Sequence, residues 1–164
     1  MSPGLVISVL AQLEQNGLPC LLFGGWAEEA LGLAIPRAHR DIDLLLPANS
    51  FSALDSLLHV RAAEFREIPL KRFAHKRAFV FEGVMVEVIL VQETGQGAVT
   101  HFWGDRLFAW KLPLKEECQL GGRSLRSASR QNLEYFRKHH ALTEPSRWKD
   151  PASLITSHRF ATGD

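Results

Sequence analysis

The sequence has few cysteines, no excess charge of either sign and no long hydrophobic run. Its two cysteines, Cys20 and Cys118, are too far apart in sequence to resemble a metal-binding pair or a disulfide framework. The net charge of +1 excludes the broad basic field of a non-specific nucleic-acid binder. No apolar stretch reaches the length of a membrane span, and the first residues lack the basic leader of a secretory signal. We therefore expect a cytoplasmic protein with reduced thiols that binds neither nucleic acid nor membranes.

Length and hydrophobicity indicate a single folded domain. The 164 residues, with an apolar content of 46%, are enough for a substantial core. We predict one domain over 1–164, with a core over about 1–92, a C-terminal appendage over about 100–157 and a frayed tail over 158–164.

The pattern of apolar residues predicts helices and strands in alternation. Helices are expected over 5–15, 26–32, from a cap at Asn49 or Ser50, from Ser129 to His139, and over 149–155. Strands are expected over 19–23, 40–46 and 61–68, with one hairpin over 77–81 and 84–91 and another over 114–120 and 123–127. The first hairpin turns at Glu82-Gly83, 93–98 is a predicted loop, and 100–112 is either a strand or a lid.

Two carboxylates stand out in the strand over 40–46. Asp41 and Asp43 share one face of this strand, because successive side chains alternate, and Ile42 takes the other face. Two adjacent acids in an apolar strand repel each other and lose hydration unless a positive charge lies between them. The pair therefore indicates a divalent-cation site, with an exposed pair on an edge strand as the alternative.

A glycine pair and a basic turn flank the same strand. Gly24-Gly25 separates an apolar strand from a helical segment, which lets a ligand approach the backbone and offers N–H groups suited to phosphate. Arg37 and His39, just before the acids, are suited to the same phosphates, or else brace the acidic strand or lie on the surface. Trp26 is expected to pack under the glycine turn rather than to contact a ligand.

These residues resemble one known family. The ordered set Gly24-Gly25-Trp26, then Arg37, His39, Asp41 and Asp43, is similar to the nucleotidyltransferase superfamily of DNA polymerase beta type. Within it, the small nucleotidyltransferases that act on aminoglycoside and lincosamide antibiotics are the nearest in pattern. The resemblance implies an α/β (α+β) fold with a mixed twisted sheet, helices packed on it and a small C-terminal hairpin and helical appendage.

The resemblance also implies a third metal ligand. In this family it lies on a strand neighbouring the paired acids, and Glu87 stands at that place where relatives usually have Asp. Asp41, Asp43 and Glu87 would then be the catalytic residues and the ligands of two Mg²⁺ ions. Glu87 would also be suited to accept the proton of the attacking hydroxyl. The alternatives for Glu87 are exposure to solvent and an ion pair with Arg77 across the hairpin.

The resemblance assigns the nucleotide to the glycine turn. Gly24 and Gly25 would contact the triphosphate of a nucleoside triphosphate, ATP first among them, supported by Trp26, Arg37 and His39. Other charged residues are predicted to be solvated. These are Glu28 and Glu29 on one helix face and the basic cluster Lys71, Arg72, His75 and Lys76 in a loop.

The predicted function is Mg²⁺-dependent transfer of a nucleoside monophosphate to a hydroxyl of a small molecule, an aminoglycoside or lincosamide antibiotic among the candidates. One alternative is a protein-modifying nucleotidyltransferase that serves as the antitoxin of a toxin–antitoxin pair. Another is a degenerate, non-catalytic scaffold that binds nucleotide. The chain is short enough that a homodimer or a partner toxin could complete the site.

Overall fold

The computed structural model describes residues 1–95 and 97–139. The helix predicted over 149–155 and the tail predicted over 158–164 lie outside the described residues. Within the described part, no helix is long and apolar enough to cross a membrane.

The described chain contains helices and strands in the alternation that the sequence predicted. The α-helices are α1 (Pro3–Gln15), α2 (Gly24–Ala30), α3 (Ser52–Val60) and α4 (Arg130–Lys138), with a 3-10 helix over Pro69–Lys71. The strands are β1 (Leu21–Phe23), β2 (Asp41–Pro47), β3 (Arg66–Glu67), β4 (Lys76–Phe81), β5 (Val84–Thr94), β6 (Gly97–Phe102), β7 (Arg106–Trp110), β8 (Lys115–Leu120) and β9 (Arg123–Ala128).

The strands form one mixed sheet with β2 near its centre. The order is β3-β4-β5-β2-β1-β9-β8, and β6 and β7 extend from the far end of β5. Strand β2 runs antiparallel to β1 and parallel to β5. The predicted α/β fold with a mixed twisted sheet is therefore confirmed.

The C-terminal hairpin is part of this sheet. Strand β9 pairs in parallel with β1, where Leu22 lies opposite Ser127, so β8 and β9 extend the sheet beyond β1. Helix α4 then packs over the sheet, since the Phe136 ring lies 4.9 Å from the Phe23 ring and 5.9 Å from the Trp110 ring, centroid to centroid. The segment left open as a strand or a lid forms the β6–β7 hairpin.

The apolar side chains of the central strand β2 are buried, which fixes the position of this strand in the sheet. Ile42 and the run Leu44–Leu46 are almost completely buried, and they belong to one hydrophobic core with the buried residues of α1 and α3. Burying each such side chain contributes about 1.5–3 kcal/mol to folding. The acids of β2 are therefore held on a strand that has little freedom to move.

Two predicted elements are shorter than expected: the edge strand over 61–68, and the loop over 93–98, because β5 continues to Thr94 and β6 begins at Gly97. The edge strand expected over 61–68 is reduced to the two residues of β3, because a turn after α3 occupies the preceding residues. The first hairpin turns as predicted, with both Glu82 (φ 47°) and Gly83 (φ 79°) in the left-handed region that tight two-residue hairpin turns require.

Candidate active site

Three carboxylates meet where β2 and β5 run side by side. Asp41 and Asp43 share one face of β2, and Ile42, on the opposite face, is fully buried. Glu87 of β5 lies directly opposite Asp43 in the register of the two parallel strands. Because β2 is central in the sheet, the alternative of an exposed pair on an edge strand is wrong.

The negative charge at Asp43 is poorly compensated. Burial, and then the charges of Asp41 and Glu87, raise the pKa of the Asp43 carboxyl to about 7, although Lys76 and Lys71 partly oppose them. A carboxyl in this environment gains stability from a bound cation, which would offset both the repulsion and the lost hydration.

Glu87 is held by two lysines. The Lys71 Nζ atom lies 2.5 Å from Glu87 Oε1, and the Lys76 Nζ atom lies 3.0 Å from Glu87 Oε2. Burial raises the pKa of Glu87, but the charge of Lys76 and the hydrogen bonds from both lysines outweigh it and lower the pKa overall. Glu87 is thus neither solvent-exposed nor paired with Arg77, which binds Asp55 instead, so both alternatives are wrong.

The glycine turn lies against the acids. Gly24 follows Phe23, the residue opposite Asp43 across the β1–β2 pair, and adopts a φ of +60°. A Cβ atom added at Gly24 would lie 2.3 Å from Asp43 Oδ2. A Cβ atom added at Gly25 would lie 2.8 Å from His39 Cε1 and 2.9 Å from Arg37 Nη2. Both glycines are therefore required by close approach of the site's own side chains.

His39 braces the turn that precedes the acids. Its Nε2 atom lies 2.9 Å from Glu29 Oε2, and its ring packs on Trp26 with 4.2 Å between ring centroids. The Arg37 N–H also donates to Glu29 Oε2, at 3.3 Å. Trp26 is only 3% exposed, as predicted for a core residue, and its Nε1 atom has no hydrogen-bond partner among the described residues.

Glu28 and Glu29 are not a solvated helix face. The Glu28 carboxylate forms ion pairs with Arg37, at 3.8 Å, and with Arg137 of α4. The side chains of Glu28 and Glu29 are 12% and 16% exposed. The prediction for this pair is wrong because α4 and the basic turn both fold back onto α2.

The basic cluster of Lys71, Arg72, His75 and Lys76 is also less exposed to solvent than predicted. Lys71 and Lys76 bind Glu87, and Arg72 binds Asp55 and Glu67. His75 is 4% exposed within an aromatic cluster that it shares with Phe73, Phe102 and Trp103. Burial, and then the charges of Lys76 and Arg77, lower the pKa of His75 to about 3, so its ring is neutral. No sequence spacing indicated these contacts.

The pair Asp41 and Asp43 fits the expected metal site better than Glu87 does. Asp41 and Asp43 offer hard oxygen ligands on one face, and Lys71 and Lys76 only partly oppose the charge of Asp43, so the pair suits a divalent cation such as Mg²⁺. Both oxygens of Glu87 are already bound by lysines. Residues 1–95 and 97–139 contain no group of three His, Cys, Asp or Glu side chains arranged to hold a metal ion.

Two kinds of comparison relate this chain to known proteins. Residues 5–150 match the sequence model of the aminoglycoside-2''-adenylyltransferase family. The fold is similar to a solution structure of the antibiotic-resistance factor ANT(2'')-Ia, with 19% identity, a TM-score of 0.64, and coverage of 97% of this chain and 81% of that chain. A crystal structure of ANT(2'')-Ia in complex with adenylyl-2''-tobramycin matches with the same identity and TM-score, over 97% of this chain and 86% of that one.

A second solved relative acts on another antibiotic class. The lincosamide antibiotic adenylyltransferase LnuA, bound to lincomycin, matches with 16% identity, a TM-score of 0.67, and coverage of 93% of this chain and 95% of that chain. At these identities, the structural matches establish the fold, and no curated protein sequence matches the chain. Since the family model covers most of the chain, the predicted resemblance is confirmed. The chain belongs to the aminoglycoside-2''-adenylyltransferase family and is an enzyme of the nucleotidyltransferase type.

Proposed function

We propose that this chain transfers a nucleoside monophosphate from a nucleoside triphosphate, ATP first among them, to a hydroxyl of an aminoglycoside or lincosamide antibiotic. The observation that carries the proposal is the half-buried Asp43 carboxylate, set beside Asp41, opposite Glu87 and against Gly24, with a negative charge that Lys71 and Lys76 only partly oppose. The adenylyltransferase family supports ATP as the donor, and the solved relatives support an antibiotic as the acceptor.

In this proposal, Asp41 and Asp43 hold the divalent cation. A bound Mg²⁺ would neutralise triphosphate charge and orient the phosphates for in-line attack by the acceptor hydroxyl. Gly24 and Gly25 allow Asp43, His39 and Arg37 to lie against the backbone of the turn, so a triphosphate bound through the metal ion would lie beside that turn. Arg37, whose side chain is 59% exposed, is free to reach a phosphate from beside Gly25.

Two other predicted roles concern His39 and Glu87. His39 is fully engaged in bracing, since its side chain is 6% exposed and bonded to Glu29, so its support of the phosphates would be indirect. The arrangement of two Mg²⁺ ions with Glu87 as third ligand and proton acceptor stays a prediction, and it would need Glu87 to exchange its lysines for metal. The cytoplasmic location, the homodimer and the partner toxin also stay predictions.

The proposal is tested by product analysis. The purified protein is incubated with ATP, Mg²⁺ and either tobramycin or lincomycin, and the products are measured by mass spectrometry. We expect one antibiotic to gain a single adenylyl group with equimolar release of pyrophosphate, and we expect Asp43→Asn to show neither. Adenylylation of a co-purifying protein instead would support the antitoxin alternative. Nucleotide binding without any transfer would support the scaffold alternative and contradict the proposal.

A further inference from the structure

We infer that Lys71 and Lys76 take the place of a second divalent cation, so that the site binds one divalent ion per nucleotide, at Asp41 and Asp43. This inference rests on the proposed function. It concerns which positive charges the chain itself supplies, and it departs from the arrangement in which Glu87 is a metal ligand.

The first support is the geometry at Glu87. Each of its two carboxylate oxygens has its own ammonium partner, with Lys71 Nζ at 2.5 Å and Lys76 Nζ at 3.0 Å. The Glu87 side chain is 15% exposed, and those of Lys71 and Lys76 are 34% and 19% exposed. A metal ion at either oxygen of this carboxylate would lie next to an ammonium group, whose positive charge repels it.

The second support is the way the backbone holds the two lysines. Lys76 opens β4 and lies opposite Ile89 of β5, two residues beyond Glu87, so its position is set by the sheet register. Lys71 ends the 3-10 helix, and its N–H donates to the Ile68 carbonyl at 2.9 Å, while the Ile68 N–H donates to Ala78 of β4 at 2.8 Å. The segment that carries Lys71 is therefore attached to the same strand that carries Lys76.

A further contact restricts Lys76. Its Nζ atom lies 5.8 Å from the centroid of the Phe73 ring, within the range of a cation–π contact. The Phe73 N–H also donates to the Lys76 carbonyl at 2.9 Å, which closes the turn between them. Lys76 is thus positioned by its backbone, by an aromatic ring and by Glu87 together.

The third support is the balance of charge. Asp41, Asp43 and Glu87 bring three negative charges, and Lys71 and Lys76 both form ion pairs with Glu87. Within residues 1–95 and 97–139, Asp41 and Asp43 form no ion pair. One divalent ion at Asp41 and Asp43 compensates these two charges, whereas a second divalent ion at Glu87 would be repelled by two ammonium groups in contact with the same carboxylate.

The test is a count of bound metal ions. Mn²⁺ is titrated into the protein at a saturating concentration of a non-hydrolysable ATP analogue, and bound Mn²⁺ per chain is measured by electron paramagnetic resonance. We expect one ion per wild-type chain. We expect two ions per chain in the double variant Lys71→Met/Lys76→Met, because Glu87 is then freed to coordinate. A matched double variant, Lys111→Met/Lys115→Met, removes two lysines from other parts of the fold and should keep the count at one.

The outcomes separate this inference from the proposed function. Two ions in the wild-type protein would overturn the inference and leave nucleotidyl transfer standing. No bound ion in the presence of the nucleotide analogue would overturn both. A count of one in a folded Lys71→Met/Lys76→Met protein would also overturn the inference, because the lysines would then not be what excludes the second ion. If that double variant does not fold, the wild-type count alone decides.

Discussion

Replacing Gly24 with alanine should impair the active site, because the added Cβ atom displaces the Asp43 carboxylate. The added Cβ would lie 2.3 Å from Asp43 Oδ2 and 3.0 Å from both Cβ and Cγ of Asp43. Carbon and oxygen atoms in ordinary contact lie about 3.5 Å apart, so the carboxylate has to move by roughly 1 Å. Because Asp43 is half-buried on the central strand, that movement changes the metal-binding pair rather than a free surface group.

The size of the effect follows from this displacement. A misplacement of about 1 Å in a reacting arrangement costs on the order of 100-fold in rate, which corresponds to about 2.7 kcal/mol of transition-state stabilisation. The φ of +60° at Gly24 adds a separate cost, since an alanine in the left-handed region destabilises the fold by about 1–2 kcal/mol. We therefore expect Gly24→Ala to lose both stability and activity.

A matched variant separates the two losses. Gly17 has a φ of +75°, and among the described residues nothing lies within 4 Å of a Cβ added there. Gly17→Ala should therefore lose a similar amount of stability in urea unfolding while keeping the wild-type kcat/KM for adenylyl transfer. The reasoning would be refuted if Gly24→Ala kept kcat/KM within about threefold of the wild type, or if Gly17→Ala lost as much activity as Gly24→Ala.

Three further predictions concern buried charge. Asp43→Asn should abolish transfer but stabilise the metal-free protein in urea unfolding by on the order of 2 kcal/mol. The reason is that the raised pKa of Asp43, about 7, makes its charged form unfavourable in the fold. A less stable variant would contradict this prediction. The pKa of His75, about 3 when folded, lies below its unfolded value of 6.5, so stability is fully present above pH 6.5 and falls by about 2 kcal/mol by pH 5. His75→Asn should reduce that loss in unfolding titrations, and an unchanged pH dependence would show that His75 is not responsible. Glu29→Gln should weaken the brace on His39 and raise the KM for ATP several-fold with little change in kcat, whereas a loss confined to kcat would contradict a positioning role.

The parts of the fold that the sequence predicted well depend on local patterns. Strand β2 is recognisable because its apolar residues are interrupted only by two acids, and the hairpin of β4 and β5 is recognisable because Glu82-Gly83 suits a tight turn. These features need only the alternation of strand side chains and the turn preferences of glycine. The place of Glu87 beside the acids was instead implied by the family resemblance, because the parallel pairing of β2 with β5 joins distant segments.

The parts that escaped prediction depend on contacts between distant segments. Lys71 and Lys76 precede Glu87 by sixteen and eleven residues and meet it only after the hairpin forms and the 3-10 helix docks on β4. The joining of β9 to β1 likewise requires a parallel pair between residues about a hundred positions apart. Neither the ion pairs of Glu87 nor the pairing of β9 with β1 leaves a periodic pattern in the sequence, because both are set by the tertiary structure rather than by neighbouring residues.

The most direct test of the account is a thermal-shift titration with ATP, with and without Mg²⁺, on the wild-type protein and on Asp43→Asn. A ligand that binds only the folded state raises the unfolding midpoint by mass action. We expect the unfolding midpoint of the wild-type protein to rise only when ATP and Mg²⁺ are both present. We expect no such rise in Asp43→Asn. An equal rise without Mg²⁺, or an equal rise in Asp43→Asn, would contradict a nucleotide site built on a metal held by Asp41 and Asp43.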